Sequence, residues 1–211
     1  MKTKKNLILI GGGGHAKACI DVVQSSQEYN IIGYIDMKET IDIKYKIPYL
    51  GDDTCIKKYL NEASFIITVG QIKSASIRIK LFDYLKSINA DIATIVSKNA
   101  IVSSHASIGK GSIIMHSVIV QSDVSIGENC IVNDRALLEH DVLVGNHCHI
   151  STGAILNGNV TVGSSSFIGS GAVVKNGITI GDSVVIGFAS AIKNDIGNNQ
   201  SWVGNPAKQI N

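Results

Sequence analysis

Residues 120–150 read VQSDVSIGENCIVNDRALLEHDVLVGNHCHI, and an aliphatic residue returns at every sixth position: Val120, Ile126, Val132, Leu138, Val144 and Ile150. The register extends back to Val96 and forward to Ile192, seventeen consecutive hits in a chain where about three in ten residues are Ile, Val or Leu. Chance composition does not produce that. A second register two residues earlier, from Ala100 to Ser190, holds only small or aliphatic side chains. Gly109, Gly127, Gly145, Gly163 and Gly181 recur every eighteen residues, which is three hexapeptides. The pattern predicts a parallel β-helix of triangular section: three short strands per coil, aliphatic rows stacked inward, and glycine at one corner to supply positive φ. No single coil buries its own row, so coils must stack. Neither Pro48 nor Pro206 interrupts the repeat, as a hydrogen-bonded ladder requires.

Upstream of the repeat the pattern changes. Asn6 to Ile10 read as a buried parallel strand, followed at once by Gly11-Gly12-Gly13-Gly14-His15 and a helical pattern to about Ser25. A second strand, Ile31 to Ile35, ends on Asp36, about twenty residues past the glycines, a spacing that suits a ribose-binding carboxylate. Backbone amides at such a helix start hold anions. Taken alone, Gly11-x-Gly13-x-x-Ala16 fits a dinucleotide site, another phosphate-bearing ligand or a tight structural turn, and His15 fits a cap as well as a contact. A third strand, Phe65 to Val69, ends at Gly70-Gln71; a helix from about Ser74 to Ser87 and a strand from Asp91 to Ile95 follow. Right-handed crossovers would bring Gly13, Asp36 and Gly70 to one edge. About 95 residues are too few for the two-halved dinucleotide fold, which favours a mononucleotide or a nucleotide-sugar.

A net charge of +2 and a pI near 8.3 exclude a nucleic-acid footprint, and only Lys2, Lys4 and Lys5 cluster. The apolar run Leu7–Ile10 is too short for a secretory signal, and no stretch approaches a membrane span, so the reading is soluble and cytoplasmic. Cys130 and Cys148 fall in the small inward register as ordinary small hydrophobes; with Cys19 and Cys55 they form no metal or CxxC spacing. Five histidines lie in the repeat, none in an inward register, so all are expected at the surface or at a subunit contact. His105 and His116 read as solvated turn residues, and His147-Cys148-His149 as a poor metal pair because Cys148 must point inward. His140 differs, since Glu139 and Asp141 flank it and Asn133 and Asp134 lie one hexapeptide earlier. A carboxylate on one imidazole nitrogen raises the basicity of the other, as a general base needs, though a surface ion-pair cluster has the same spacing.

The hexapeptide run, Asn133 to Ile150, and the tail Val203-Gly204-Asn205-Pro206-Ala207-Lys208 resemble the left-handed β-helix acyltransferases. LILIGGGGHAK (7–17) and GYID (33–36) are similar to the sialic acid O-acetyltransferase (NeuD) family, which includes the PglD-type UDP-4-amino-sugar N-acetyltransferases. The resemblance implies an α/β N-terminal Rossmann-like domain (1–95) followed by a left-handed parallel β-helix with a C-terminal tail (96–211), assembled as a homotrimer with acetyl-CoA between neighbouring copies and no metal. By that likeness His140 is the base, oriented by Asp141 or Glu139, with Asn133 and His149 lining the acetyl-CoA and acceptor site and the Gly158 N–H as oxyanion donor. Gly169, Ser170, Gly187, Phe188 and Lys208 match the cofactor track. Gly13, Gly14, His15, Asp36 and Gly70 match positions that hold the nucleotide of the acceptor. The chain departs from PglD-type members at Asp36-Met37, where they resemble an acidic pair, which leaves the reading of the uridine open. The implied reaction is acetyl transfer to the 4-amino group of a UDP-linked amino-deoxy-sugar. The alternative is O-acetylation of sialic acid or a related nonulosonate. A reading from another class is a nucleotide-sensing or NAD-linked binding protein with a purely structural β-helix.

Overall fold

A computed structural model describes residues 4–210; Lys2 of the N-terminal lysine trio lies outside them. Strand β1 (Lys5–Ile10) sends Leu7 and Leu9 to one face and Ile8 and Ile10 to the other, the period-2 alternation of a strand covered on both sides. It is the centre of a parallel sheet, with β2 (Tyr29–Ile35) on one side and β3 (Ser64–Ile67) on the other. Helix α1 (Gly14–Ser26) buries Ala16, Cys19, Ile20 and Val23, one stripe at helical spacing, and stops where Gln27 turns left-handed. It packs with Leu7 and Leu9 against the first coils of the repeat, so one continuous core runs from the sheet into the β-helix. Helix α2 (Ser76–Ser87) covers the opposite face, where Phe82 and Leu85 meet Ile8, Ile10 and Phe65. The expected strand from Asp91 to Ile95 is not a fourth member of this sheet. Ile92 makes a single bridge to Phe65, and Ile95 pairs instead with Ile113 as the first rung of the repeat.

From Ile95–Val96 to Ala191–Ile192 a two-residue strand recurs every six residues, and every rung up to Val173–Val174 pairs in parallel with the rung eighteen residues on. Three faces result. The first carries Ile131–Val132 and His149–Ile150, and Ser201–Val203 and Lys208–Gln209 extend its upper edge; the second carries Leu137–Leu138; the third carries Leu143–Val144. The second residue of each pair from Ile114 to Ile186 is buried, as the register predicted.

The glycine column has a different cause from the one expected. None of Gly109, Gly127, Gly145, Gly163 and Gly181 has positive φ. A Cβ on Gly127 would sit 2.7 Å from the carbonyl carbon of Gly145, and one on Gly145 2.7 Å from the Ser164 nitrogen. Successive coils approach too closely at that corner for any side chain. The left-handed conformation recurs elsewhere, at every sixth residue from Gly111 to Ala189, including Asp123, Asn129, Asp141 and Asn159. Asp and Asn tolerate it because their short polar side chains bond locally. Among the described residues no helix is long and apolar enough to cross a membrane.

Candidate active site

Asp141 is one of those left-handed corner residues, at φ 61°. The turn throws its carboxylate beside the preceding side chain, and Oδ2 lies 2.8 Å from His140 Nδ1. A carboxylate only accepts, so Nδ1 carries the proton and Nε2 is the free lone pair of the neutral ring. That hydrogen bond, opposed only by partial desolvation, holds the pKa of exposed His140 above its ordinary value; the charge on Glu139 adds less. Asp141, not Glu139, is the hydrogen-bonded partner. The ring lies over the next coil: a Cβ on Gly158 would stand 2.6 Å from His140 Cε1 and 2.7 Å from Nε2, so glycine is the residue that lets the imidazole settle there. The Gly158 N–H donates to nothing among the described residues.

Asn133 and His149 are not beside His140. They belong to the first face and its exit corner, whereas His140 stands where the chain leaves the second face. Between Asn133 and His140 the chain turns a corner at left-handed Arg135 and runs the length of the second face. Asn133 and His149 instead line a cavity of about 480 Å³ between the β-helix and the N-terminal domain, together with His15, Gly70, Gln71 and Ser170. His149 was expected at the surface or at a subunit contact, but it is only 7% exposed within the single chain, because the loop after β3 closes over it. Its Nδ1 is 2.5 Å from the Gln71 carbonyl, Nε2 is 3.4 Å from Asn133 Nδ2, and Phe167 meets the ring edge-on at 5.2 Å. Burial pushes its pKa down to about 4. His15, in contact with Cys19 Sγ at 3.4 Å, is pushed down to about 3 by burial and by Arg78. His147 turns to Asn129 Nδ2 at 3.0 Å, so it shares no site with His149.

The three strand ends do converge. Gly13 caps α1 in an extended conformation with no side-chain cap; nothing lies within 4 Å of where a Cβ on Gly13 or Gly14 would be, and Gly70 sits against His15. The first turn of α1 is therefore bare and approachable, as an anion site requires. Asp36 accepts from Gly12 N–H and from Met37 N–H, both at 2.7 Å, and so ties the glycine loop to the end of β2. Along the proposed cofactor track, Ser170 Oγ is 2.9 Å from Ser151 Oγ. A Cβ on Gly169 would stand 2.6 Å from Phe188 N and one on Gly187 2.5 Å from Val203 Cγ1, so both glycines are demanded by packing. Phe188 is 81% exposed and Lys208 is exposed on the closing hairpin.

Residues 6–85 match the family model described as the PglD N-terminal domain, and residues 105–140 match that of the bacterial transferase hexapeptide, six repeats. The N-terminal domain is thus similar to the PglD N-terminal domain, and the β-helix to the hexapeptide-repeat transferases. UDP-N-acetylbacillosamine N-acetyltransferase of Bacillus subtilis is 32% identical over 114 residues, 53% of this chain and 51% of that protein, so the match spans about half of the curated relative. The acetyltransferase domain of PglB from Neisseria gonorrhoeae, solved with acetyl coenzyme A, superposes with a TM-score of 0.92 at 28% identity, covering 99% of this chain and 100% of that one. A perosamine N-acetyltransferase from Caulobacter crescentus, solved with CoA and GDP-perosamine as a variant with a histidine replaced by asparagine, gives 0.90 at 27% identity, over 98% and 97% of the two chains.

Two residues of the junction between the N-terminal domain and the β-helix escaped the sequence reading. Arg78 is 1% exposed, and its guanidinium bonds the Ile67 and Val69 carbonyls and both Asn129 oxygens, at 2.6–3.2 Å. A signal was present, since Arg78 shares the buried stripe of α2 with Phe82 and Leu85 at helical spacing. Gln71 carried no such signal.

Proposed function

We propose that this chain transfers the acetyl group of acetyl-CoA to the 4-amino group of a UDP-linked amino-deoxy-sugar, as a homotrimer whose active site lies between copies. One observation carries the reading: the two half-sites flank the same uncovered apolar face. The second face presents Ile101, Ile119, Leu137, Ile155 and Val173 outward, with Ile101 66% exposed, whereas the third presents Ser107, Ser125, Thr161 and Thr179 around a lone Leu143. Solvent suits the third face and not the second. Packing the second face about a threefold axis sets the Asn133–His149 cavity of one copy against His140 and Gly158 of the next. A second copy thus completes the site.

In that arrangement His140 Nε2 takes the proton of the acceptor amine as its nitrogen attacks the thioester carbonyl. The C–N bond forms, the oxyanion accepts from the Gly158 N–H, and the C–S bond breaks as the proton passes to the departing thiolate. Asp141 keeps the reacting lone pair on Nε2. The bare glycine loop suits the diphosphate and Asp36 lies at the ribose end. Phe188 and Lys208 offer an aromatic surface and a cation to the cofactor's far end. The thiols Cys130 and Cys148 are buried in the bore, so direct transfer is favoured over an acyl-enzyme. The similar proteins are named for amino-sugar N-acetylation, which favours an amine over a sialic acid hydroxyl as acceptor. The test is thiol release with a UDP-4-amino-sugar, a GDP-4-amino-sugar and free sialic acid. The UDP-4-amino-sugar should be preferred, and His140→Ala should lower turnover by about 10²–10⁴-fold while light scattering still shows a trimer. Near-normal turnover in that variant, or a monomeric wild type, would sink the reading.

A further inference from the structure

The loop after β3 reaches across to the β-helix and ends a hydrogen-bond chain there. The main-chain N–H of Asp134 donates to Asn133 Oδ1 at 2.9 Å, Asn133 Nδ2 lies 3.4 Å from His149 Nε2, and His149 Nδ1 lies 2.5 Å from the main-chain carbonyl of Gln71. Both ends are backbone groups, whose polarity cannot reverse: an N–H only donates and a carbonyl only accepts. The polarity of everything between them follows. His149 Nδ1 must carry the proton, Nε2 must be a lone pair, and the Asn133 amide must turn its Nδ2 towards the ring.

We propose that Gln71 is a positioning residue whose main-chain carbonyl ends this chain, holding His149 as the neutral Nδ1–H tautomer and committing Asn133 to donate an N–H into the cavity. Asn133 has two such hydrogens. One serves His149; the other has no partner among the described residues and faces a cavity that Asn133 lines. Its natural complement is a carbonyl or hydroxyl oxygen of the ligand. Taking that ligand to be the acyl donor or sugar acceptor rests on the function proposed above; the tautomer does not.

The rest of the junction exists to keep that carbonyl in place. Gln71 Nε2 donates to the His147 carbonyl at 2.8 Å, and Arg78 Nη1 holds the Val69 carbonyl at 2.8 Å, so the loop is pinned on either side of Gly70. Asn129, bonded to Arg78, holds the His147 ring in turn. Burial of His149, with cationic Arg78 nearby, supports the neutral form. The N-terminal domain therefore shapes the acyl site as well as its own crevice.

The test is long-range 15N–1H NMR of the ligand-free protein, reading both ring nitrogens of His149, assigned by the signals lost in His149→Gln. The wild type should show a proton on Nδ1 and none on Nε2 at neutral pH. Asn133→Asp replaces the donor facing Nε2 with an acceptor, so the ring should take a second proton and titrate at higher pH. Gln71→Gly frees the carbonyl and leaves only the long 3.4 Å contact from Asn133 to hold the tautomer, so the Nε2–H form should gain population and turnover fall roughly fivefold, the equivalent of one net hydrogen bond. Gln71→Leu gives a second reading should the glycine variant not fold, because it also deletes Gln71 Oε1, a buried acceptor with no partner among the described residues. A wild-type ring protonated on Nε2, or rings in both Gln71 variants indistinguishable from wild type, overturns the proposal. The expected tautomer with no acetyl transfer to any nucleotide-sugar would instead count against the proposed activity and leave the chain standing.

Discussion

At the residue scale, His140 owes its chemistry to a neighbour one position away. The left-handed turn at Asp141 puts the carboxylate on Nδ1, and that bond raises the pKa of the ring. A base must be neutral to act, so activity should rise with pH through a midpoint above the ordinary histidine value of 6.5. Asp141→Asn removes the charge that favours the imidazolium, so the acid limb of the kcat/KM profile should move to lower pH. The plateau should fall by about tenfold or more, because an amide no longer selects the tautomer. A limb that stays in place would show that Asp141 does not act on the ring. The pairing of His140 with Asp141 was legible in the sequence because it is local. The burial of His149 was not: its hexapeptide position points outward, and only the loop bearing Gln71, 78 residues away in sequence, makes it a buried group.

At the element scale, the six-residue register specified the β-helix almost rung by rung, since burying one aliphatic row leaves no other arrangement for those side chains. What it could not separate were two reasons for glycine. Gly145 is needed for coil-to-coil approach, while Gly153 has φ 66° and open space around it. Alanine should discriminate between them. Gly153→Ala meets only left-handed strain, about 1–2 kcal/mol. Gly145→Ala drives a methyl to 2.7 Å from the Ser164 nitrogen, so the coils must part and the overpacking cost of about 1–3 kcal/mol adds to lost ladder bonds. Denaturant melts should rank Gly145→Ala as clearly the less stable, and the reverse order would refute the stacking explanation. The sheet strands were legible from apolar runs, whereas the fate of Asp91–Ile95 was not, because the same short run suits a sheet edge or a first coil.

For the whole molecule, the decisive structure is the junction, where a buried arginine and three depressed histidines join the N-terminal domain to the β-helix. Its residues come from loops and corners far apart in sequence, so no spacing announces them. The same is true of the active site as proposed, whose halves lie at opposite ends of one face and meet only between copies. The junction has a signature that a single chain would show. His149 titrates at about 4 in the folded state against 6.5 when free, so between those values the folded form binds fewer protons than the unfolded chain. Stability from this group is complete above about pH 6.5 and falls as pH drops towards 4. The slope is about 1.4 kcal/mol per pH unit, or roughly 3 kcal/mol over the window. His15, depressed further by the same burial and the same arginine, acts in the same direction. Urea melts between pH 7 and pH 4 should therefore lose stability in the wild type. His149→Gln, which keeps a hydrogen-bonding side chain but has nothing to protonate, should lose it along a visibly shallower slope. Equal slopes would mean that His149 takes its second proton as readily in the folded protein as in the unfolded chain, which a ring donating to Gln71 and accepting from Asn133 does not allow.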